Sequence, residues 1–86
     1  MDYILISFRS RTDSSSFKEL LSLSGYKVAL IPTPKEAGVG CGLSVKIFSN
    51  DIMGIKAVLK KRNYASFTGI FTVSIRGGNS FIKIVN

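Results

Sequence analysis

Eighty-six residues with no histidine and a single cysteine, Cys41, exclude an internal disulfide, a Cys-His catalytic dyad and a usual zinc site. Twelve Lys and Arg against five Asp and Glu leave a net charge of +7, which favours acidic partners, and no apolar run approaches the roughly 20 residues that a membrane span requires. The length suits one domain over residues 1–86, and Met1-Asp2-Tyr3 leads straight into a strand-like run instead of a basic and then apolar leader, so a cytoplasmic protein with neither metal nor cofactor is expected.

Tyr3-Ile4-Leu5-Ile6-Ser7-Phe8 is continuous and rich in strand formers, as a central strand should be. After Arg9-Ser10-Arg11, the residues Thr12, Asp13 and Ser14 to Ser16 offer competing N-caps, with Ser16 and Glu19 spaced as a capping box. Phe17, Leu20 and Leu21 form one apolar stripe before Gly25 ends this first helix. Lys27 to Ile31 reads as a second strand closed by Pro32. Leu43 to Phe48 is the clearest strand, with Leu43, Val45 and Ile47 inward and Ser44 and Lys46 outward.

Ser49-Asn50-Asp51 caps a second helix that presents Ile52, Ile55, Val58 and Leu59 on one face, and Lys60, Lys61 and Arg62 complement its dipole in the last turn. Ser66 to Ile75 is strand-like again, and Gly77-Gly78-Asn79 makes a tight hairpin into Phe81 to Val85. Tyr3, Phe8, Phe17, Phe48, Phe71 and Phe81 follow strand or helix periodicity and are assigned to the core. Tyr26, Tyr64 and Phe67 flank turns and suit core or surface.

This order predicts an α+β protein: a ferredoxin-like plait (βαββαβ) with an appended C-terminal β-strand and both helices on one face of an antiparallel sheet. Between the second and third strands, the stretch from Pro32 to Gly42 carries Cys41 among glycines, on backbone that another molecule could approach closely. In a plait, the end of strand one, the start of helix one, this loop and the end of helix two share one edge. Arg9, Arg11, Lys35, Lys60, Lys61 and Arg62 would then gather near Cys41. Such charge, with the amides opening the first helix, should lower the thiol pKa below its usual value of about 8.5 and yield a nucleophile or a carrier of transferable sulfur or selenium.

Plainer readings stand beside these. A lone cysteine is often a small buried hydrophobe, although Cys41 does not sit within an apolar run. Arg9 and Arg11 beside a capped helix start resemble an anion site, yet most such arginines are simply solvated. Lys60 to Arg62 also serve as a helix-end charge complement.

At Ser10-Arg11-Thr12-Asp13, and again at Leu30 to Glu36 and Cys41-Gly42-Leu43, the chain resembles the small bacterial family of selenium/sulfur carrier-like proteins, from the first strand to about Ile75. The family pattern has a Ser/Thr-Thr-Asp turn opening helix one, an Ile-Pro-x-Pro-Arg segment and a run of small residues ending in Cys-Gly. Thr12 and Asp13 match the first part, Ile31, Pro32 and Pro34 the second, and Cys41 and Gly42 the third. Lys35 stands where arginine is usual, keeping the charge without the bidentate fork. Gly38-Val39-Gly40 replaces serines, and Gly77 to Asn86 extends past many members.

The resemblance implies a carrier, at most sulfurtransferase-like, in which Cys41 accepts a persulfide or selenopersulfide. From both arguments the candidate binding residues are Arg9, Arg11, Thr12, Asp13, Pro34, Lys35, Gly40 and Gly42. The implied partners are a cysteine desulfurase or another sulfur or selenium donor, and an acceptor protein. The alternative is a non-catalytic module that recognises an acidic protein, an anion or RNA through its basic edge, with RNA the weaker version because the glycine-aromatic signature of RNA-recognition domains is missing. The apolar share of 45% also suits a homodimer.

Overall fold

A computed structural model describes residues 2–33 and 42–85. The chain runs β1 (Asp2–Phe8), α1 (Arg11–Leu23), β2 (Val28–Pro32), β3 (Leu43–Ile47), α2 (Ile52–Leu59), β4 (Phe67–Arg76) and β5 (Asn79–Ile84). The five strands form one sheet in the order β2-β3-β1-β4-β5, and every neighbouring pair is antiparallel. The α+β class, the antiparallel sheet and the added last strand agree with the sequence reading. No helix among the described residues is long and apolar enough to cross a membrane.

Both helices cover the same sheet face. Ile4, Ile6 and Phe8 of β1 share one core cluster with Val45 and Ile47 of β3, Phe17 and Leu21 of α1, Ile55 and Val58 of α2, and Ile70 of β4. Each fully buried aliphatic or aromatic side chain of this kind stabilises the fold by about 1.5–3 kcal/mol relative to exposure. At the end of β1 the core becomes aromatic: the Phe8 ring lies 5.5 Å from Phe17, 5.3 Å from Tyr64 and 6.1 Å from Phe67. Tyr64 and Phe67 thus resolve to core packing. Phe48 and Phe81 do not, at 46% and 58% exposure: Phe48 follows β3 beside Lys46 on the face without helices, and Phe81 is on β5, the outermost strand.

Among the described residues no helical side chain packs in the cluster on the opposite face, yet Leu5 is fully buried there with Phe71 and Val73. Leu5 is flanked in register by Lys46 on β3 and Phe71 on β4. The Lys46 ammonium sits 4.3 Å from the Tyr3 ring centroid and 5.0 Å from that of Phe48, so its aliphatic stem is laid along the sheet. Phe71 leans over Gly69, filling the space a side chain would have taken. Gly69 adjoins a β-bulge, since Ser7 pairs with Gly69 but Phe8 pairs with Phe67.

Helix boundaries differ from expectation in two places. Helix α1 starts at Arg11, capped by Ser10, whose extended backbone (φ −93°, ψ 129°) lets its Oγ accept from the Asp13 amide. The Ser16–Glu19 pair therefore lies inside the helix and caps nothing. Ser10 prevails because it places Asp13 in the first turn, where a carboxylate complements the helix dipole, and because its own amide is bound by Ser66 Oγ. Helix α2 begins at the Asp51 cap as expected but ends at Leu59, so Lys56 is the cation of its last turn and Lys61 and Arg62 follow the helix. At the hairpin, Gly77 and Gly78 adopt φ of 57° and 82°, the left-handed pair that a two-residue turn of this twist requires.

Candidate functional site

Cys41, Pro34, Lys35 and Gly40 lie outside the described residues, and with them the expected setting of the thiol. The structure does define the two ends of the stretch that carries them. The Thr33 amide donates to the Gly42 carbonyl at 3.1 Å, continuing the β2–β3 ladder by one step past the Pro32–Leu43 pair. Thr33 and Gly42, which flank residues 34–41 in the sequence, are thus joined to each other as a neck.

The neck is fixed on three sides. Gly42 lies against the end of β1, where an added Cβ would stand 2.6 Å from the Phe8 carbonyl oxygen and 3.6 Å from Arg9 Cα. From α1, buried Ser14 shares its hydroxyl between the Leu43 and Ser10 carbonyls, each at 3.1 Å, and so ties the first turn of the helix to the start of β3. On the helix-free face, three hydroxyls form a chain: Ser7 Oγ to Ser44 Oγ at 2.8 Å, and Ser44 Oγ to Thr33 Oγ1 at 2.8 Å. Ser7 and Ser44 are fully buried. Ser44 does point away from the helices as its alternation implies, but it meets Ser7 and Thr33 and not solvent.

Asp13, expected at a binding site, is held internally. Its Oδ2 accepts from the Ser66 hydroxyl at 2.6 Å and the Ser66 amide at 3.3 Å. Ser66 also binds the Ser10 amide through Oγ and the Arg9 amide through its carbonyl, so this residue pins the start of β4 to the start of α1. Arg9, Arg11 and Thr12 are exposed beside this knot. Ser10 and Asp13 between them satisfy groups that an anion at the helix start would have used. The sequence thus places Arg9, Arg11, Thr12, Asp13 and Gly42 together at one corner, with Asp13 and Gly42 serving the architecture of that corner.

The end of α2 comes to the same side. Arg62 donates through Nη1 to Ser16 Oγ in α1 at 3.0 Å, and Ser16 Oγ lies 3.3 Å from the Tyr64 hydroxyl. Lys60 and Lys61 are exposed. Another carboxylate is engaged elsewhere: the Tyr26 hydroxyl donates to Asp51 Oδ2 at 2.8 Å, a bond that raises the Tyr26 pKa and, followed by the bond from the Gly54 amide, lowers that of Asp51. Among the described residues no group of three His, Cys, Asp or Glu side chains gathers as a metal site would need. A cleft of about 620 Å³ lined by Asp2, Phe48, Ser49, Asn50 and Arg76 lies at the opposite end of β1 and touches none of the candidate residues.

Ser7, Ser44, Thr33 and Ser66 were not singled out by sequence. Ser7 alone left a trace, as a polar residue within an otherwise apolar central strand that must find a buried partner.

A small α+β fold whose one cysteine immediately precedes, in sequence, a hydroxyl-lined neck at Thr33 and Gly42 defines the class of protein. The chain belongs to the family described as "Putative Se/S carrier protein-like", which matches residues 3–71 and so takes in β1 through the middle of β4. No curated protein and no solved structure matches the chain. Membership supports, at the level of class, a selenium/sulfur carrier-like role and dealings with donor and acceptor proteins in general.

Proposed function

We propose that the protein is a sulfur or selenium carrier in which Cys41 is the acceptor atom's anchor. The observation that supports this most directly is the neck: the cysteine-bearing stretch of a carrier-family chain is clamped at Thr33 and Gly42, one peptide bond from Cys41. In this reading the order β2-β3-β1-β4 is a ferredoxin-like plait extended by β5, forming a single domain over residues 1–86 that works in the cytoplasm.

The chemistry is an exchange without net redox. The Cys41 thiolate attacks the outer sulfur of a donor persulfide, the new S–S bond forms as the old one breaks, and the donor departs as its thiolate. Delivery reverses this: an acceptor nucleophile attacks the outer sulfur and Cys41 leaves as thiolate. A selenopersulfide follows the same course. A chain with one cysteine has no second thiol to resolve the adduct, which suits transfer between proteins. Arg9, Arg11 and Lys35 serve as the cationic surround that favours the anionic sulfur, and Pro34, Gly40 and Gly42 shape the backbone about it.

Intact-mass spectrometry of the reduced protein incubated with cysteine and a cysteine desulfurase tests this reading, with Cys41→Ser alongside. A gain of one sulfur that reductant removes and the variant lacks is the expected result. An equal gain on the variant, or a thiol that stays unloaded and reacts slowly with alkylating reagents at neutral pH, would leave the non-catalytic binding module as the better account.

A further inference from the structure

The aromatic end of the core opens to the surface where the end of α2 and the segment that follows it meet the start of β4. A cleft of about 360 Å³ there has Leu59, Tyr64 and Phe67 as its apolar wall and Lys60 and Arg62 as its cations. Arg62 is also a wall of a second cleft of about 200 Å³, where it meets Leu20 and the 82%-exposed Leu23 of α1. Arg62 is oriented by its hydrogen bond to Ser16, and Tyr64 and Phe67 by their packing on Phe8.

Charge decides what such a cleft accepts. The chain has twelve cations and five carboxylates, and two of those carboxylates are committed to neutral donors, Asp13 to Ser66 and Asp51 to Tyr26 and Gly54. Glu19, in the second cleft, is the carboxylate nearest to Arg62 among the lining residues of the two clefts. Among the described residues, the larger cleft has no acid in its lining. An apolar wall beside two cations is complementary to a chain segment that offers acidic residues around an aromatic or large aliphatic anchor.

Position adds a reason. Phe67 pairs in register with Phe8, whose carbonyl is the one Gly42 rests on. A segment seated against Phe67 therefore lies one strand, β1, away from the neck at Gly42, the residue that follows Cys41. We propose that this cleft is the docking site for an acidic segment with an aromatic anchor on the protein that supplies or receives the sulfur atom, an inference that rests on the carrier reading for the partner's identity but not for the binding itself.

The probe is a short synthetic peptide of acidic residues around one phenylalanine, with two controls: alanine in place of the phenylalanine, and lysines in place of the acids. Amide shifts of the isotopically labelled full chain are followed, with affinity from fluorescence anisotropy. The expected result is movement of amides from Leu59 to Phe67 and from Leu20 to Leu23, several-fold weaker binding of the alanine peptide, and a loss of about tenfold in the Lys60→Ala/Arg62→Gln double variant, whose melting temperature is checked in parallel. Equal binding of the phenylalanine and alanine peptides, or shifts spread over all basic surfaces, would overturn the proposal by reducing it to bulk charge. A single-stranded RNA that displaces the peptide from these amides with a steeper salt dependence would reassign the cleft to nucleic acid. Cys41→Ser should bind the peptide as the native chain does. Peptide binding without persulfide formation would thus sink the carrier reading alone, and persulfide formation without peptide binding would sink the docking site alone.

Discussion

Gly42 packs so closely on Phe8 that a side chain on it would begin 2.6 Å from the Phe8 carbonyl oxygen. The obstacle is backbone of the central strand and cannot swing aside, and the φ of 155° at Gly42 is one that other residues rarely adopt. Gly42→Ala should therefore cost about 1–3 kcal/mol, a fall of roughly 5–15 °C in Tm for a chain of this size. Thermal unfolding followed by circular dichroism reads this directly. An unchanged Tm would mean that the neck is loosely held and that Gly42 serves the ligand, not the fold.

Two buried hydroxyls should respond to removal in opposite senses. Ser44 bridges Ser7 and Thr33, so Ser44→Ala strands one or both partners, of which Ser7 is fully buried, at a cost of about 1–3 kcal/mol. Thr68, the extra residue at the β4 bulge, has a buried Oγ1 without a hydrogen-bond partner among the described residues. Thr68→Val keeps the shape and removes an unsatisfied oxygen, so it should be neutral or stabilising by up to about 1 kcal/mol. Denaturant midpoints at constant m-value measure both. A destabilising Thr68→Val would reveal a partner for that hydroxyl.

The Asp13–Ser66 contact should behave as one structural unit. Asp13→Ala and Ser66→Ala should each cost about 1–2 kcal/mol, and the double variant should fall short of their sum by about 0.5–1 kcal/mol. At a temperature where the variants remain folded, sulfur loading of Cys41 should match that of the native chain. Loading that collapses in folded Asp13→Ala would return Asp13 to the binding role its family motif first suggested.

How far the sequence could be read follows from which signals were local. Ile4, Ile6 and Phe8 on one side of a strand, or the Gly77-Gly78 turn, declare themselves within a few residues, and the α+β class with an antiparallel sheet follows from element order and connection length. The α1 start did not, because Thr12, Asp13 and three later serines were the caps on offer, and Ser10, the cap the fold uses, is held by Ser66, more than fifty positions away, which binds both Ser10 and Asp13. The hydroxyl chain was hidden for the same reason. Ser7 comes from β1, Ser44 from β3 and Thr33 from just past the end of β2, and only the register Ser7–Ser44 brings them into line. Gly42 read as loop freedom, whereas its necessity comes from contact with a strand 34 positions earlier.

The Tyr26–Asp51 pair allows a test by pH. The Tyr26 hydroxyl, then the Gly54 amide, hold the Asp51 carboxyl below its ordinary value, and the same hydrogen bond and charge hold the Tyr26 phenol above its own. For Asp51 the folded pKa is the lower one, so its contribution to stability is present above the usual carboxylate pKa of about 4 and is lost as pH falls through the folded value. For Tyr26 the neutral form is favoured, so its contribution is present below about pH 10 and is lost as pH rises through the raised value. Asp51 is exposed and Tyr26 only half-buried, so the amplitude should be small, and carboxyl carbon shifts are a better readout than Tm. Tyr26→Phe should move the Asp51 titration up toward the ordinary value. Gly54→Ala should do the same, because the new Cβ would overlap both the Asp51 carboxylate and the Tyr26 hydroxyl and drive them apart. It should also forfeit part of the roughly 1 kcal/mol that alanine gains over glycine within a helix. An Asp51 titration unmoved by Gly54→Ala would mean that the pair closes without the space that glycine provides.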